Sequence, residues 1–186
     1  MKDNNNNNII SHTFCYFIAE ENSVKKNEYK FIIIATESQI SNLKNNLIDK
    51  YFMDTTYKCV QKSIYNFKLM VISGYNFNNK KTELCCYILI MNEKEFTFYN
   101  IFKVLLAKYH FKPKNIMCDF RTSQIKAAKK IFPHENIHCC FFHYSQALWN
   151  NMKKNNLCGE GTYAQNAELL FNLQILCFIK KEKCLK

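Results

Sequence analysis

Residues 98–120 read FYNIFKVLLAKYHFKPKNIMCDF, and this stretch decides the fold class. The first half has apolar residues at helical spacing, which predicts a helix with one apolar stripe. The stripe consists of Phe98, Ile101, Phe102, Leu105, Leu106 and Tyr109. After Pro113, the segment from Asn115 to Phe120 is typical of a short buried strand and carries one acid, Asp119. A helix that leads into a buried strand indicates a mixed α/β fold.

Three strand-like segments precede this stretch. They run from Tyr51 to Cys59, from Phe67 to Tyr75 and from Glu83 to Met91. Because only short polar turns separate them, they are expected to form an antiparallel meander.

Two earlier apolar segments, residues 9–18 and 29–36, are also expected to be strands, behind a polar, disordered tail at residues 1–8. Thr36 or Ser38 is expected to cap the helix that follows. Its apolar positions are Ile40, Leu43 and Leu47.

Downstream, helices and strands alternate. The pattern predicts a helix from about Thr122 to Phe132, which Pro133 ends, and a strand from Ile137 to Phe142. A helix marked by Tyr144, Ala147, Leu148 and Met152 and a helical segment from about Tyr163 to Ile179 come next. Three meander strands followed by alternating strands and helices are the element order of an RNase H-like mixed sheet with helices on both faces. A Rossmann-type domain would need a glycine-rich phosphate loop, which the sequence lacks.

The composition restricts the class of protein. No apolar run reaches the roughly 18 residues of a membrane-spanning helix, and the N-terminus has no secretory signal. Ten cysteines without such a signal indicate an intracellular, reducing location, nuclear or cytoplasmic. The net charge of +11 suits DNA as a partner, although enrichment in lysine and asparagine is also typical of a biased genome. The oligomeric state, including a homo-oligomer, stays open.

Two acids lie within apolar strand-like segments, Asp54 in YFMDTTY and Asp119 in IMCDF. In an RNase H-like sheet the first and fourth strands are neighbours, so the two carboxylates would come together. Two carboxylates at that separation repel unless a cation lies between them, and Mg²⁺ or Mn²⁺ prefers such oxygen ligands. The alternative is that each Asp caps or turns the chain at a strand end.

Cys140 and His143 form a C-x-x-H pair. Such a pair can give two ligands to zinc, but a structural zinc site needs four, and the sequence offers no clean second pair. Zinc is therefore not expected, and the alternative is a packed cysteine with a hydrogen-bonded histidine. No cysteine opens a helix beside a histidine as a nucleophile would.

Several of these segments together resemble one family. FIIIATESQI at residues 31–40 and YFMDTTYK at residues 51–58 resemble the entry into a Mutator-like element (MULE) transposase domain, where Gly-Thr-Phe/Tyr-Lys follows an aspartate. PKNIMCDF at residues 113–120 resembles the family's second aspartate block. CFFHYSQALW at residues 140–149 is similar to its C-x-x-H block and the helix behind it. The likeness covers about residues 29–180.

The resemblance implies a DDE-type transposase core of the RNase H-like superfamily. Asp54 would be the first catalytic acid and Asp119 the second, both of them ligands to Mg²⁺ or Mn²⁺. Cys140 and His143 would be the family's C-x-x-H, whose role the sequence does not establish. Thr55 departs from the family pattern, because it stands where the glycine is usual.

The third acid of the family is a glutamate beyond a helical insertion, which would begin here near Leu157. Neither Glu160 nor Glu168 stands in the family's glutamate motif, so neither is assigned as the third acid. The resemblance therefore implies a domain truncated before that acid. The expected divisions are a tail with a leading strand at 1–28, the core at 29–156 and the start of the insertion at 157–186.

The function implied is that of a MULE-type transposase-derived protein, related to DNA cleavage and strand transfer by two-metal-ion chemistry and inactive alone. The alternative is a non-catalytic module, derived from a transposase, that binds DNA or a protein. A third hypothesis is an active metal-dependent nuclease that takes its missing acid from the tail.

Overall fold

A computed structural model describes residues 14–18, 31–56, 67–132, 136–157 and 163–178. The predictions for the tail at 1–8, for the strand end at 57–59, and for Pro133 and Glu160 lie outside these residues. No helix in the described ranges is both long and apolar enough to cross a membrane.

Seven strands of the described residues form one mixed sheet in the order β1-β2-β5-β4-β3-β6-β7. Five α-helices and a final 3₁₀ helix accompany it. The strands are β1 (Phe14–Ile18), β2 (Phe31–Thr36), β3 (Ile48–Thr56), β4 (Lys68–Asn76), β5 (Lys81–Ile90), β6 (Asn115–Cys118) and β7 (Asn136–Cys139). The helices are α1 (Glu37–Leu43), α2 (Glu95–Tyr109), α3 (Thr122–Ile131), α4 (Phe141–Lys154), α5 (Tyr163–Ile175) and the 3₁₀ helix Leu176–Phe178.

Strands β3, β4 and β5 form the predicted antiparallel meander, and β6 and β7 add to it in parallel, beside β3. Strands β2 and β1 extend the sheet antiparallel beyond β5. The RNase H-like mixed α/β prediction is confirmed. Because β3, β5, β6 and β7 all run in one direction, their carboxyl ends lie along one side of the sheet, here called the carboxyl edge. The opposite side is the amino edge.

Burial alternates along the central strands, as it does when one face of a sheet covers a core. Tyr51, Met53 and Thr55 of β3 are buried, whereas Phe52 is half-buried and Asp54 is exposed. Helices α1, α2 and α3 contribute to the same core as Tyr51 and Met53. The predicted stripe of α2 is confirmed except at Leu106, which packs only partly buried against it. Asp54 therefore lies on the sheet face opposite this core.

Thr36 caps helix α1, as one of the two alternatives from the sequence predicted. The Thr36 hydroxyl accepts a hydrogen bond from the backbone N–H of Gln39, and the Gln39 side chain accepts one from the N–H of Thr36. This reciprocal pair is a capping box. The prediction that Leu47 continues the helix was wrong. Helix α1 ends at Leu43, and Leu47 is exposed in the turn before β3, where its N–H donates to the Asn45 side chain.

The predicted strand from Ile137 to Phe142 was wrong at its end. Strand β7 stops at Cys139, and α4 begins at Phe141. The reason is the partner strand, because β6 ends at Cys118, which pairs with Cys139. Beyond that pair β7 has no strand to bond, and the N–H of Cys140 donates to the Cys118 carbonyl at 2.8 Å as the chain turns into α4.

Candidate metal centre

The two predicted acids meet at the carboxyl edge. Strands β3 and β6 are parallel neighbours, and their register places Met53 beside Cys118. Asp54 and Asp119 follow these two residues directly, so the pairing brings them level although they are far apart in the sequence. The sequence expectation that the sheet would bring these carboxylates together is confirmed.

A histidine joins the pair. One carboxylate oxygen each from Asp54 and Asp119 and one ring nitrogen of His143 all lie within 4.8 Å of one another. Nε2 of His143 is 3.6 Å from Oδ1 of Asp54, which is too long for a hydrogen bond. In the part of the chain that the structure describes, this is the one such group of three, and it contains neither a third carboxylate nor a cysteine. We call it the Asp-Asp-His group.

Asp119 is the buried member of the group. Only 7% of the residue is exposed. Its Oδ2 accepts a hydrogen bond from Nε of Arg121 at 3.1 Å, whereas its Oδ1 is buried with no hydrogen-bond partner among the described residues. A buried carboxylate oxygen without a partner is costly, and a cation is one of the few ligands that offset this cost.

Asp54 is the exposed member. Its side chain is 62% exposed, and it points away from the main core. The Asp-Asp-His group is therefore closed on the side of Asp119 and open on the side of Asp54. A ligand from solution can reach it without a rearrangement of the fold.

His143 lies in the first turn of α4, three residues after Cys140. Cys140 is the N-cap residue of α4, without a side-chain cap bond, and its backbone N–H bonds the last carbonyl of β6. This bond ties the start of α4 to the strand that precedes Asp119. The ring of His143 is partly buried, with 30% of the side chain exposed, and its Nδ1 is buried with no partner in the described ranges. The C-x-x-H sequence thus contributes its histidine, and not its thiol, to the group.

Three charged residues beside the group were missed by sequence reasoning. The guanidinium of Arg121 bridges Asp119 and Glu93, and Glu93 also forms an ion pair with Lys68, the first residue of β4. All three side chains are less than a third exposed. One signal could have found Arg121, because it is the one arginine of the sequence and follows Asp119 by two residues.

Comparison with known protein families identifies the domain. Residues 51–147 match the MULE transposase domain. The chain belongs to the MULE transposase domain family. The match runs from Tyr51 in β3 to Ala147 in α4, so it includes every member of the Asp-Asp-His group and Cys140. No curated protein matches the chain.

Thr55, which stands where the MULE pattern has a glycine, occupies a regular position of β3. The residue is 6% exposed and faces the core side of the sheet, away from Asp54. Strand backbone suits a threonine, so Thr55 fits its position in β3.

Two thiols beside Asp119, those of Cys118 and Cys139, are protonated at neutral pH. Burial, with smaller contributions from Cys139 and Asp119, raises the pKa of Cys118 to about 12. Burial and then Asp119 raise the pKa of Cys139. Since the thiolate is the nucleophile, neither thiol fits the role of a catalytic nucleophile at neutral pH.

Proposed function

We propose that this chain is a transposase-derived protein in which Asp54 and Asp119 bind the divalent cation of a DNA-cleaving centre, and that the chain alone does not complete cleavage. The observation that carries this proposal is the buried carboxylate of Asp119, which lies close to Asp54 and His143 and whose Oδ1 has no partner among the described residues. Membership of the MULE family supports the same assignment.

The two carboxylates fit a hard divalent ion. Mg²⁺ and Mn²⁺ prefer carboxylate and water oxygens, and a cation between Asp54 and Asp119 offsets their mutual repulsion. When bound, such an ion supplies the Lewis acidity that activates a water or 3′-hydroxyl and stabilises a leaving oxygen. Arg121 holds Asp119 by Oδ2, and Oδ1 has no hydrogen-bond partner among the described residues.

DNA is the substrate that this arrangement and the charge favour. The exposed side of Asp54 admits a phosphodiester to the Asp-Asp-His group. The net charge of +11 attracts a polyanion from a distance. A protein that acts on DNA would work inside the cell, in the nucleus or the cytoplasm.

Weak or absent cleavage follows from the ligand count. Two-metal chemistry places two cations at one phosphodiester, and two carboxylates are few ligands for two ions. Within the described residues, no third carboxylate belongs to the group. Glu93, the acid next to it in the ion-pair chain, is engaged by Lys68 and Arg121, and Glu168 is exposed on α5.

Calorimetric titration of Mg²⁺ and Mn²⁺ into the full chain tests the proposal. We expect each ion to bind the wild-type chain, and the Asp54→Asn/Asp119→Asn double variant to lose at least about tenfold in affinity for both. Asp49→Asn is the matched control, because Asp49 is also a β3 aspartate but lies at the amino edge, and it should bind like the wild type. Equal binding by the wild type and the double variant would overturn the metal assignment.

Nicking of supercoiled DNA tests the second half of the proposal. We expect no metal-dependent nicking above that of the double variant. Nicking that needs both aspartates would show an active nuclease and contradict inactivity. DNA binding without metal that survives the double variant, and weakens steeply as salt rises, would favour the non-catalytic module instead.

A further inference from the structure

His143 is the member of the Asp-Asp-His group that the two-carboxylate proposal does not use. We propose that Nε2 of His143 is a third ligand, which makes the centre selective for a first-row transition ion such as Mn²⁺ over Mg²⁺. This inference rests on the proposed metal centre and names the class of ion that it prefers.

The distances between the ligand atoms of the group fit a shared ion better than direct hydrogen bonds between its members. Metal–ligand bonds of about 2.1 Å place adjacent ligand atoms about 3.0 Å apart and opposite ones about 4.2 Å apart. The 3.6 Å between His143 and Asp54 lies between these values, and the whole group lies within 4.8 Å. A contraction of up to about 0.6 Å, from 3.6 Å to about 3.0 Å for an adjacent pair, would complete the geometry.

The position of His143 is built into the fold. The backbone bond from Cys140 to the Cys118 carbonyl fixes the start of α4 beside the strand that carries Asp119. The ring packs edge to face with Phe142, with 5.5 Å between the ring centres. The histidine therefore reaches the group from a helix, and ligands on regular elements are held more firmly than ligands on loops.

An imidazole nitrogen changes which ion the centre prefers. Mg²⁺ binds oxygen ligands and holds its water tightly, so it gains little from a nitrogen ligand. First-row transition ions also bind imidazole nitrogen, and Mn²⁺ does so although it prefers oxygen ligands. The two aspartates alone would bind both classes of ion, and His143 would add affinity for the transition ion only.

Titrations of MnCl₂ and MgCl₂ into the full chain, in the presence of reductant, test this selectivity. We expect His143→Gln to weaken Mn²⁺ binding by about tenfold or more and Mg²⁺ binding by less than about threefold. His138→Gln is the matched control, because His138 is exposed on β7, outside the group, and should change neither affinity. Cys140→Ser should also change neither, because the thiol of the C-x-x-H pair is not in the group.

Pulsed electron paramagnetic resonance gives a readout that does not depend on the folding of a variant. We expect Mn²⁺ on the wild-type chain to show hyperfine coupling to a directly bound imidazole nitrogen, and this signal to be absent from His143→Gln. Absence of the coupling in the wild type, or equal loss of Mn²⁺ and Mg²⁺ affinity in His143→Gln, would overturn the inference. If the double aspartate variant still loses both ions, the proposed metal centre stands while the ligand role of His143 fails.

Discussion

The two edges of the sheet use polar residues in different ways. At the amino edge, three asparagine side chains bond backbone groups two residues away: Asn45 accepts from Leu47, Asn76 from Asn78 and Asn79 from Lys81. At the carboxyl edge, the members of the Asp-Asp-His group come from elements distant in the sequence. Asp54 on β3, Asp119 after β6 and His143 on α4 face one another without a mutual hydrogen bond.

This difference separates residues that build the fold from residues that we propose to bind a ligand. The amino-edge bonds shape the turns that carry them, which is the ordinary role of asparagine outside helices and strands. The carboxyl-edge group shapes no turn, and it leaves Oδ1 of Asp119 and Nδ1 of His143 buried without partners in the described part of the chain. Sites that work against stability in this way are expected where function maintains them.

The largest effect that we expect is in the reactivity of the buried thiol at the end of β6, next to the carboxyl-edge group. Cys118 ends β6 directly below Asp119 and is 1% exposed, and burial raises its pKa to about 12. At pH 8 an ordinary thiol near pKa 8.5 is about a quarter thiolate, whereas Cys118 would be about 0.01% thiolate. We expect Cys118 to react with iodoacetamide more than about a thousandfold more slowly than Cys177, an exposed thiol in the 3₁₀ helix.

Peptide mass spectrometry of the alkylated chain measures both rates in one sample. Rates within about tenfold of each other would mean that water reaches the strand end and that the edge is open below Asp119.

The buried thiol also determines how stability changes with pH. Because burial raises the pKa of the folded thiol above its unfolded value, its contribution to stability is complete below about pH 8.5 and is lost as the pH rises toward 12.

The next effect compares an ion pair at each edge. Arg121→Met removes the partner of Asp119 and of Glu93, whose side chains are 9% and 14% exposed. We expect it to lower the free energy of unfolding by about 2–3 kcal/mol, since each carboxylate loses a charged hydrogen bond in a partly buried place. Lys114→Met breaks the solvent-exposed pair with Asp49 at the amino edge and should leave stability unchanged.

Urea unfolding of the two variants beside the wild type measures this difference. Arg121→Lys separates the effect of the charge from that of the bridging geometry, because a lysine keeps the charge but cannot bridge two carboxylates with a planar guanidinium. We expect Arg121→Lys to fall between the wild type and Arg121→Met. Equal stability of Arg121→Met and Lys114→Met would mean that the ion pairs at the carboxyl edge are as solvated as those at the amino edge.

The amino-acid sequence was enough to predict Asp54 and Asp119 as neighbours. Each acid interrupts an apolar strand-like segment, and the element order determines which strands pair. The ion-pair chain of Lys68, Glu93 and Arg121 could not be predicted in this way, because a charged residue just outside a strand is ordinary. Its partners are set by how the loops approach one another in space.

The start of α4 shows a second limit of the sequence. The run Ile137 to Phe142 is apolar, and apolar runs of this length fit a strand or a buried helix equally well. The length of β6 decided where β7 ends, and that length depends on where Asp119 leaves the sheet. His143, which directly follows the predicted strand end at Phe142, therefore lies in the first turn of a helix, 3.6 Å from Asp54.

The smallest effect that we expect has the opposite sign. Asp54→Asn, measured with a chelator present, removes one of two like charges in the group and should raise the free energy of unfolding by a few tenths of a kcal/mol. The gain is small because the Asp54 side chain is 62% exposed and its charge is screened. Asp49→Asn, its match at the amino edge, removes a charge that is paired with Lys114 and should give no gain.

With Mn²⁺ at about 100 times its dissociation constant, the free energy of unfolding of the wild type should rise by about 2.7 kcal/mol and that of Asp54→Asn by much less. If Asp54→Asn stabilises the metal-free chain and loses the stabilisation by metal, the Asp54 carboxylate serves the ligand. If Asp54→Asn instead loses stability under chelation, Asp54 belongs with the fold-building residues of the amino edge.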